Sequence, residues 1–218
     1  RTQIDEGIRS VSLETTLKAT AEVGGRITKL LSGGELLPGE LFQMMRHDYY
    51  TFTHLINVSS YCVVLARQLG VSDSAQLETI AVGGLLHDHG KLSMPPCILN
   101  KRDPLTAHER TVIQRHPQIG FVQLRDRPEL SWEQLMMVYQ HHEAIDGSGY
   151  PVRLVGDEID WLARLCSVVD VFDAMTCHRP YRAAMPAKQV NAHLLSLAGK
   201  KLDEEMVRCW IEAIRTKR

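Results

Sequence analysis

The sequence predicts an all-α protein, and three observations support this fold class. After residue 40, apolar residues recur mostly at three- and four-residue steps, the spacing of one face of a helix. Signals that start and stop helices flank these segments, such as Ser or Thr three residues before Glu or Gln, and Gly directly after an apolar run. Alternation of apolar and polar residues, the pattern of a half-buried strand, is nearly absent.

Each predicted helix has an apolar face or a start signal of its own. In chain order they are 55–69, which stops at Gly70; 77–86, which runs into His87; one begun by the capping box Thr106 and Glu109; one begun by the capping box Ser131 and Gln134; 162–175; and 206–214. The 162–175 segment is apolar almost all round, so we expect it to be buried on most faces. The sequence contains neither internal repeats nor low-complexity tracts.

The chain divides into a short leading part and one larger domain. Residues 1–34 carry scattered helical-period apolar positions interrupted by paired glycines, which predicts one or two short helices. Turn residues concentrate at 33–39, so we expect an N-terminal helical segment over 1–40, acting as a linker, and a single domain over 41–218. Because the chain begins at Arg1, we expect it to be a piece of something longer, with an upstream domain.

Composition excludes several classes of protein. The 218 residues are 44% hydrophobic and 23% charged, which excludes a disordered, collagen-like or coiled-coil chain. A formal net charge of -1 leaves no bulk basic field for duplex nucleic acid. No apolar stretch approaches the length of a membrane helix, and no signal peptide is recognisable. The five cysteines are odd in number and form no C-x-x-C pair, so we expect a reducing, cytoplasmic compartment.

The first chemically suggestive cluster is His87-Asp88-His89-Gly90-Lys91. An imidazole and a carboxylate stand side by side at the end of an apolar helix, where both can converge on a metal ion. For a lone His-Asp pair the ordinary interpretation is a helix cap followed by a turn. His47-Asp48 lacks the following glycine and lysine, and we interpret it as surface.

The second cluster is the segment 139–151, in which His141-His142-Glu143 precedes a glycine-rich turn ending in Gly149-Tyr150-Pro151. Two adjacent buried imidazoles need partners, and a metal ion would serve both. On its own, the glycine-rich segment would be an ordinary tight turn.

The third element places two carboxylates, Asp170 and Asp173, on one face of the most apolar helix. Carboxylates are almost never fully buried unless they are paired or bind a cation. The partner is either an arginine, Arg179 or Arg182, or a metal ion on Asp170. His54 lies at the start of a predicted helix, and His116 is expected on the helix begun by Thr106, just before Pro117. Each alone would more often be a satisfied core histidine.

In this order, these residues resemble the HD-GYP family, a branch of the HD-domain metal-dependent phosphohydrolases, over about residues 41–218. The resemblance rests on motifs at 87–91, 95–101, 115–120, 141–151 and 170–182. It implies an HD-domain helical bundle with a short helical N-terminal extension. It implies that Asp88 and Lys91 are catalytic. It also implies substrate contacts by Lys91, Gly149, Tyr150, Arg179 and Arg182, and metal ligation by His54, His87, Asp88, His116, His141, His142 and Asp170.

The resemblance further implies a phosphodiesterase that opens cyclic di-GMP, or a related cyclic dinucleotide, to a linear dinucleotide with metal-activated water. Family members that bind a third ion carry Glu four residues before the first histidine. Tyr50 stands there, so we expect two ions bridged by Asp88. The mixed ligands favour Fe, Mn, Co or Ni over a tetrahedral structural zinc. We expect Fe or Mn, with Ni, Co or Zn as alternatives. His89 could face solvent or the site.

The expected partners are an upstream sensor or receiver domain, cyclase proteins and a second copy of the chain, with no duplex nucleic acid and no membrane segment. One alternative is a degenerate nucleotide-binding or protein-interaction module with little turnover. Another is an HD phosphohydrolase acting on mononucleotides, which the Gly-Tyr-Pro motif disfavours.

Overall fold

The computed structural model describes residues 49–101, 103–177 and 185–215, and these are helical, as predicted. Only isolated bridges, at Asp146 with Val155 and at Ala198 with Leu202, resemble strand pairing in these ranges. The α-helices there are α1 (Tyr49–Gln68), α2 (Ser74–Leu86), α3 (Pro96–Leu99), α4 (Ala107–Ile113), α5 (His116–Leu124), α6 (Trp132–Gln140), α7 (Trp161–Thr176), α8 (Ala187–Leu197) and α9 (Glu204–Arg215). Short 3-10 turns lie at His89–Ser93 and Gly156–Glu158. No helix in the described ranges is long and apolar enough to cross a bilayer.

Local sequence signals set most helix boundaries. Helix α1 ends just before Gly70, whose φ of 95° is a left-handed conformation that glycine adopts without steric cost. Both predicted capping boxes are formed: Thr106 and Glu109 begin α4, and Ser131 and Gln134 begin α6. The prediction of helix starts from these signals is therefore confirmed.

One boundary differs from the sequence prediction. His116 was expected on the helix that starts at Thr106, but that helix ends at Ile113, and His116 is the first residue of α5. Pro117 has no N–H to donate, so a proline is best tolerated in the first turn of a helix. The break places the His116 ring at a helix start, where it faces the end of α2.

The hydrophobic core lies on both sides of the α1–α2 pair. On one side, α7 and α9 pack against α1 around the fully buried Trp210 and Leu165, and α8 packs against α7 and α9. On the other side, α5 and α6 pack against Leu55 and Leu85. Helix α7 is buried along most of its length, as its apolar sequence predicts.

At one end of the bundle, five elements converge. These are the start of α1, the turn after α2, the start of α5, the turn after α6 and the middle of α7. All the histidines and aspartates predicted to bind metal lie at this end. Gly90 permits the convergence, because a Cβ there would collide with the carbonyl oxygen of His116.

Candidate metal centre

The structure brings together all seven residues predicted as metal ligands. They form two groups, and within each group one potential ligand atom per residue lies within 4.8 Å of the others. The first group is Asp88, His116, His141 and His142, and the second is His54, His87 and Asp170.

Asp88 stands between the two groups and presents a different oxygen to each. Its Oδ1 lies 3.1 Å from His116 Nε2 and 3.6 Å from His141 Nε2. Its Oδ2 lies 3.4 Å from His87 Nε2 and 3.6 Å from His54 Nε2. A single buried carboxylate, 2% exposed, therefore faces both groups.

Four of the imidazoles are oriented by hydrogen bonds from Nδ1. In His87 and His116 this nitrogen lies 2.7 and 2.8 Å from the carbonyl oxygens of Gly84 and Ile113. His141 Nδ1 lies 3.0 Å from the Val138 carbonyl, and His54 Nδ1 is 2.6 Å from Asp173 Oδ2. Because these acceptors require a proton on Nδ1, the Nε2 atoms of the neutral rings carry lone pairs aimed at the cluster. This is the arrangement of metal-ligating histidines.

Several ligand atoms inside the cluster are left without a suitable partner. His87 Nε2 and Asp88 Oδ1 are buried and have no hydrogen-bond partner. His116 Nε2 and His141 Nε2 lie 3.2 Å apart, and two lone pairs at that distance repel each other. A divalent cation would satisfy all of these atoms, so the residues present fit a metal centre.

Without metal, protons divide between the two groups. Burial lowers the pKa of His54, but hydrogen bonds to Asp170 and Asp173 outweigh it and hold this pKa well above its usual range. Burial also lowers the pKa of His87, but the negative charge of Asp88 outweighs this effect and raises the pKa to about 9. Burial lowers the pKa of His141 to about 4. His54 and His87 are thus protonated at neutral pH, whereas His141 is neutral.

The two carboxylates of α7 meet a histidine. His54 Nε2 lies 3.2 Å from Asp170 Oδ1, and His54 Nδ1 bonds the fully buried Asp173. The predicted alternatives were a metal ion on Asp170 or a pair with Arg179 or Arg182. Both arginines lie outside the described residues. The pairing of Asp173 with His54 was missed because the partners are more than a hundred residues apart in sequence.

Lys91 lies beside the cluster and contacts Asp88. Its Nζ is 2.5 Å from Asp88 Oδ2, and a quarter of its side chain is exposed. Burial opposes the charge of Asp88, yet the positive charges of Lys91 and His87 hold its pKa well below its usual range. Asp88 is therefore ionised at neutral pH, as a metal-ligating carboxylate must be.

The loop carrying the Gly-Tyr-Pro motif is fixed by Glu143, a role that sequence reasoning did not assign. The buried Glu143 carboxylate accepts hydrogen bonds from the backbone N–H groups of Val152, Arg153 and Leu154 at 2.6–3.1 Å. Gly149 lies so close to the main chain at Glu143 that a Cβ would collide with it. The loop is thereby tied to the residue that follows His142.

Tyr150, on this loop, packs against the cluster. Its ring centroid lies 4.8 Å from that of His142. Burial, together with the negative charges of Asp88 and Asp170, raises the pKa of the Tyr150 hydroxyl. The phenol therefore stays protonated and is available as a hydrogen-bond donor.

Other predicted residues have mixed outcomes. His89 is 5% exposed, which excludes the solvent-facing alternative, and it belongs to neither group of candidate ligands. Arg179, Arg182 and His47-Asp48 lie outside the described residues, as does the predicted 1–40 segment. Tyr50 lies in α1. The roles assigned to these residues, and the boundary near residue 40, stay predictions.

The fold and the cluster together define an α-helical domain with a buried His/Asp metal centre. A family model described as "HD domain" matches residues 33–206. The chain belongs to the HD-domain family and, as its motifs predict, to the HD-GYP branch.

Particular relatives agree with this assignment. A curated cyclic di-GMP phosphodiesterase of Pseudomonas aeruginosa is 37% identical, over 81% of this chain and 43% of its own length. A 3'3'-cGAMP-specific phosphodiesterase of Vibrio cholerae is 35% identical, over 74% of this chain and 31% of its own. The chain thus spans less than half of the length of either protein.

A solved structure supports the fold. An HDG"Y"P protein from Bdellovibrio bacteriovorus superposes with a TM-score of 0.64 at 23% identity, over 74% of this chain and 51% of that one. The predicted fold class and family are thereby confirmed.

Proposed function

We propose that this domain is a phosphodiesterase that hydrolyses cyclic di-GMP, or a related cyclic dinucleotide, to a linear dinucleotide with two divalent ions, Fe or Mn. The observation that carries the proposal is the position of Asp88, whose two oxygens face separate groups of donors 3.1–3.6 Å away. One carboxylate between two ligand groups is the arrangement that a binuclear hydrolytic centre requires.

The names of the relatives support the substrate class. The Pseudomonas protein is named for cyclic di-GMP and the Vibrio protein for 3'3'-cGAMP. Both substrates are cyclic dinucleotides with two phosphodiester bonds. We therefore assign this class to the chain and leave the choice of bases to the assay below.

Divalent ions at these positions would supply Lewis acidity, lowering the pKa of the attacking water and neutralising phosphate charge. The residues of the chain do the remaining work. His54, His87, His116, His141, His142 and Asp170 would hold the ions, and Asp88 would join the two positions.

Lys91 and Tyr150 are placed to act on the substrate. An ammonium group cannot ligate metal, but it can donate to a phosphate oxygen as negative charge develops on it. The protonated Tyr150 hydroxyl is a second donor at the edge of the cluster, beside His142. We also propose that Arg179 and Arg182 hold phosphate or a guanine edge through bidentate contacts.

The decisive experiment is product analysis with metal-free protein reloaded with Mn²⁺ or, anaerobically, Fe²⁺, and supplied with cyclic di-GMP or 3'3'-cGAMP. We expect a linear dinucleotide. Asp88→Asn should abolish turnover and lower the bound metal, because it replaces the shared charged ligand. Asp126→Asn, which changes an 88% exposed carboxylate, is the matched control and should behave like wild type.

Two results would overturn the proposal. Turnover by Asp88→Asn with undiminished metal would exclude the two-metal mechanism. A metal-loaded wild-type protein that binds the dinucleotide without cleaving it would identify a signalling module instead.

The setting of the domain is also part of the proposal. Because relatives extend well beyond the matched region, we propose that the domain is the output of a longer signalling protein. We also propose that it works in the cytoplasm, because its five cysteines form no C-x-x-C pair. An upstream sensor or receiver domain, a cyclase partner and a homodimer are compatible with this role.

A further inference from the structure

Asp173 is buried directly behind the cluster, yet it belongs to neither group of candidate ligands. Its Oδ2 lies 2.6 Å from His54 Nδ1, on the side of the ring that faces away from Asp88 and Asp170. Its Oδ1 accepts a hydrogen bond from Asn57 Nδ2 at 2.9 Å and another from the Cys177 thiol at 3.2 Å. Both oxygens therefore have partners, and the carboxylate is held from three directions.

The three contacts fix the orientation of the carboxylate. Asn57 lies one turn after His54 on α1, and Cys177 lies one turn after Asp173 at the end of α7. Because both groups donate to Oδ1, Oδ2 is left to accept from His54. Because the carboxylate oxygen is the acceptor in this 2.6 Å contact, the proton between the two groups lies on His54 Nδ1.

His54 differs in this respect from the other oriented histidines. His87, His116 and His141 direct Nδ1 to backbone carbonyl oxygens, whereas His54 directs it to a carboxylate. A carboxylate behind an imidazole makes the opposite nitrogen a stronger donor to a metal.

We propose that Asp173 is a positioning residue for one of the two metal positions. It holds His54 in the Nδ1–H tautomer, directs Nε2 at the ion, and strengthens the position formed by His54, His87, Asp170 and the Oδ2 atom of Asp88. The inference rests on the proposed metal centre. It implies that the metal position containing His54 depends on Asp173, which touches neither ion, and that the other position does not.

Asp173→Asn tests this directly. An amide presents both N–H and oxygen, so it cannot accept from His54, Asn57 and Cys177 together. We titrate the metal-free full chain with Mn²⁺ and monitor binding by calorimetry and electron paramagnetic resonance. We expect the Mn²⁺ affinity of the position that contains His54 to fall about 10- to 100-fold. The position formed by Asp88, His116, His141 and His142 should keep its affinity.

The paired exchange Asp173→Asn with Asn57→Asp provides the rescue. The carboxylate introduced on α1 can accept from the amide introduced on α7, which frees the oxygen of that amide for His54. We expect the double variant to recover most of the lost affinity. With diamagnetic Zn²⁺ bound in place of Mn²⁺, we expect nitrogen NMR to find the His54 proton on Nδ1 in wild type and in the double variant. If the single variant does not fold, the double variant and the NMR signature decide alone.

Unchanged Mn²⁺ affinity at both positions in Asp173→Asn would refute the inference, as would equal weakening of both. An unrecovered double variant would refute it as well. These results are independent of turnover: a wild-type protein that binds two ions without hydrolysing a dinucleotide would refute the proposed function and leave the role of Asp173 intact.

Discussion

Replacement of Glu143 by Gln should release the Gly-Tyr-Pro loop. The Glu143 carboxylate, 4% exposed, accepts from three backbone N–H groups, those of Val152, Arg153 and Leu154. Glutamine keeps one oxygen and turns an NH2 group toward the remaining donors, so at least one N–H loses its acceptor. An unsatisfied buried donor costs about 1–3 kcal/mol, and bonds to a charged acceptor are about twice as strong as neutral ones. We therefore expect a loss of about 3 kcal/mol, localised to the loop.

Hydrogen exchange measures this loss residue by residue. A local loss of about 3 kcal/mol corresponds to roughly a hundredfold faster exchange of the Val152, Arg153 and Leu154 amides. Glu158→Gln is the matched control, because Glu158 accepts from the single N–H of Val155 in an exposed turn. Exchange rates in Glu143→Gln that match those of Glu158→Gln would show that Glu143 does not fix the loop.

Three further predictions concern the metal centre. Lys91→Ala should keep its bound metal and lose turnover, because a protonated lysine cannot ligate a metal ion. Lys188→Ala, on the exposed face of α8, is the control. Loss of metal from Lys91→Ala would instead show that Lys91 has a structural role. Metal binding near pH 7 should release about two protons, from His54 and His87, and the metal affinity should rise with pH toward the His87 pKa of about 9. Calorimetry in buffers with different ionisation enthalpies measures the number of protons released. Metal binding without proton release would contradict the assigned protonation. Two ions should bind per chain, because Tyr50 is a poor ligand beside a carboxylate; three anomalous-scattering peaks would exclude this, and Asp48 or His89 would then be examined as the extra ligand.

Features that depend on near neighbours in sequence were predictable. The helix starts at Thr106 and Ser131 follow from side chains three residues apart, and the end of α1 follows from Gly70. The adjacent pairs His87-Asp88 and His141-His142 identified the candidate site because two polar residues at the end of an apolar helix need a common partner.

Features that depend on tertiary packing were not predictable. The pairing of Asp173 with His54 joins α7 to α1, and no spacing within either helix indicates it. The Glu143 carboxylate lies nine to eleven residues before the backbone N–H groups that it accepts from, across an irregular loop where sequence periodicity gives no signal. The burial of His89 likewise follows from the packing of its 3-10 turn against α5.

The candidate ligands are spread along the chain from residue 54 to residue 170, on five elements that meet only in the folded bundle. An ion held between them would therefore act as a cross-link, closing loops that the unfolded chain would otherwise leave open. Any metal that binds the folded state alone stabilises it by about 4 kcal/mol at a thousand times its dissociation constant. Metal supply would then govern how long the domain survives in the cell as well as how fast it turns over substrate, and a chelator would expose it to proteases.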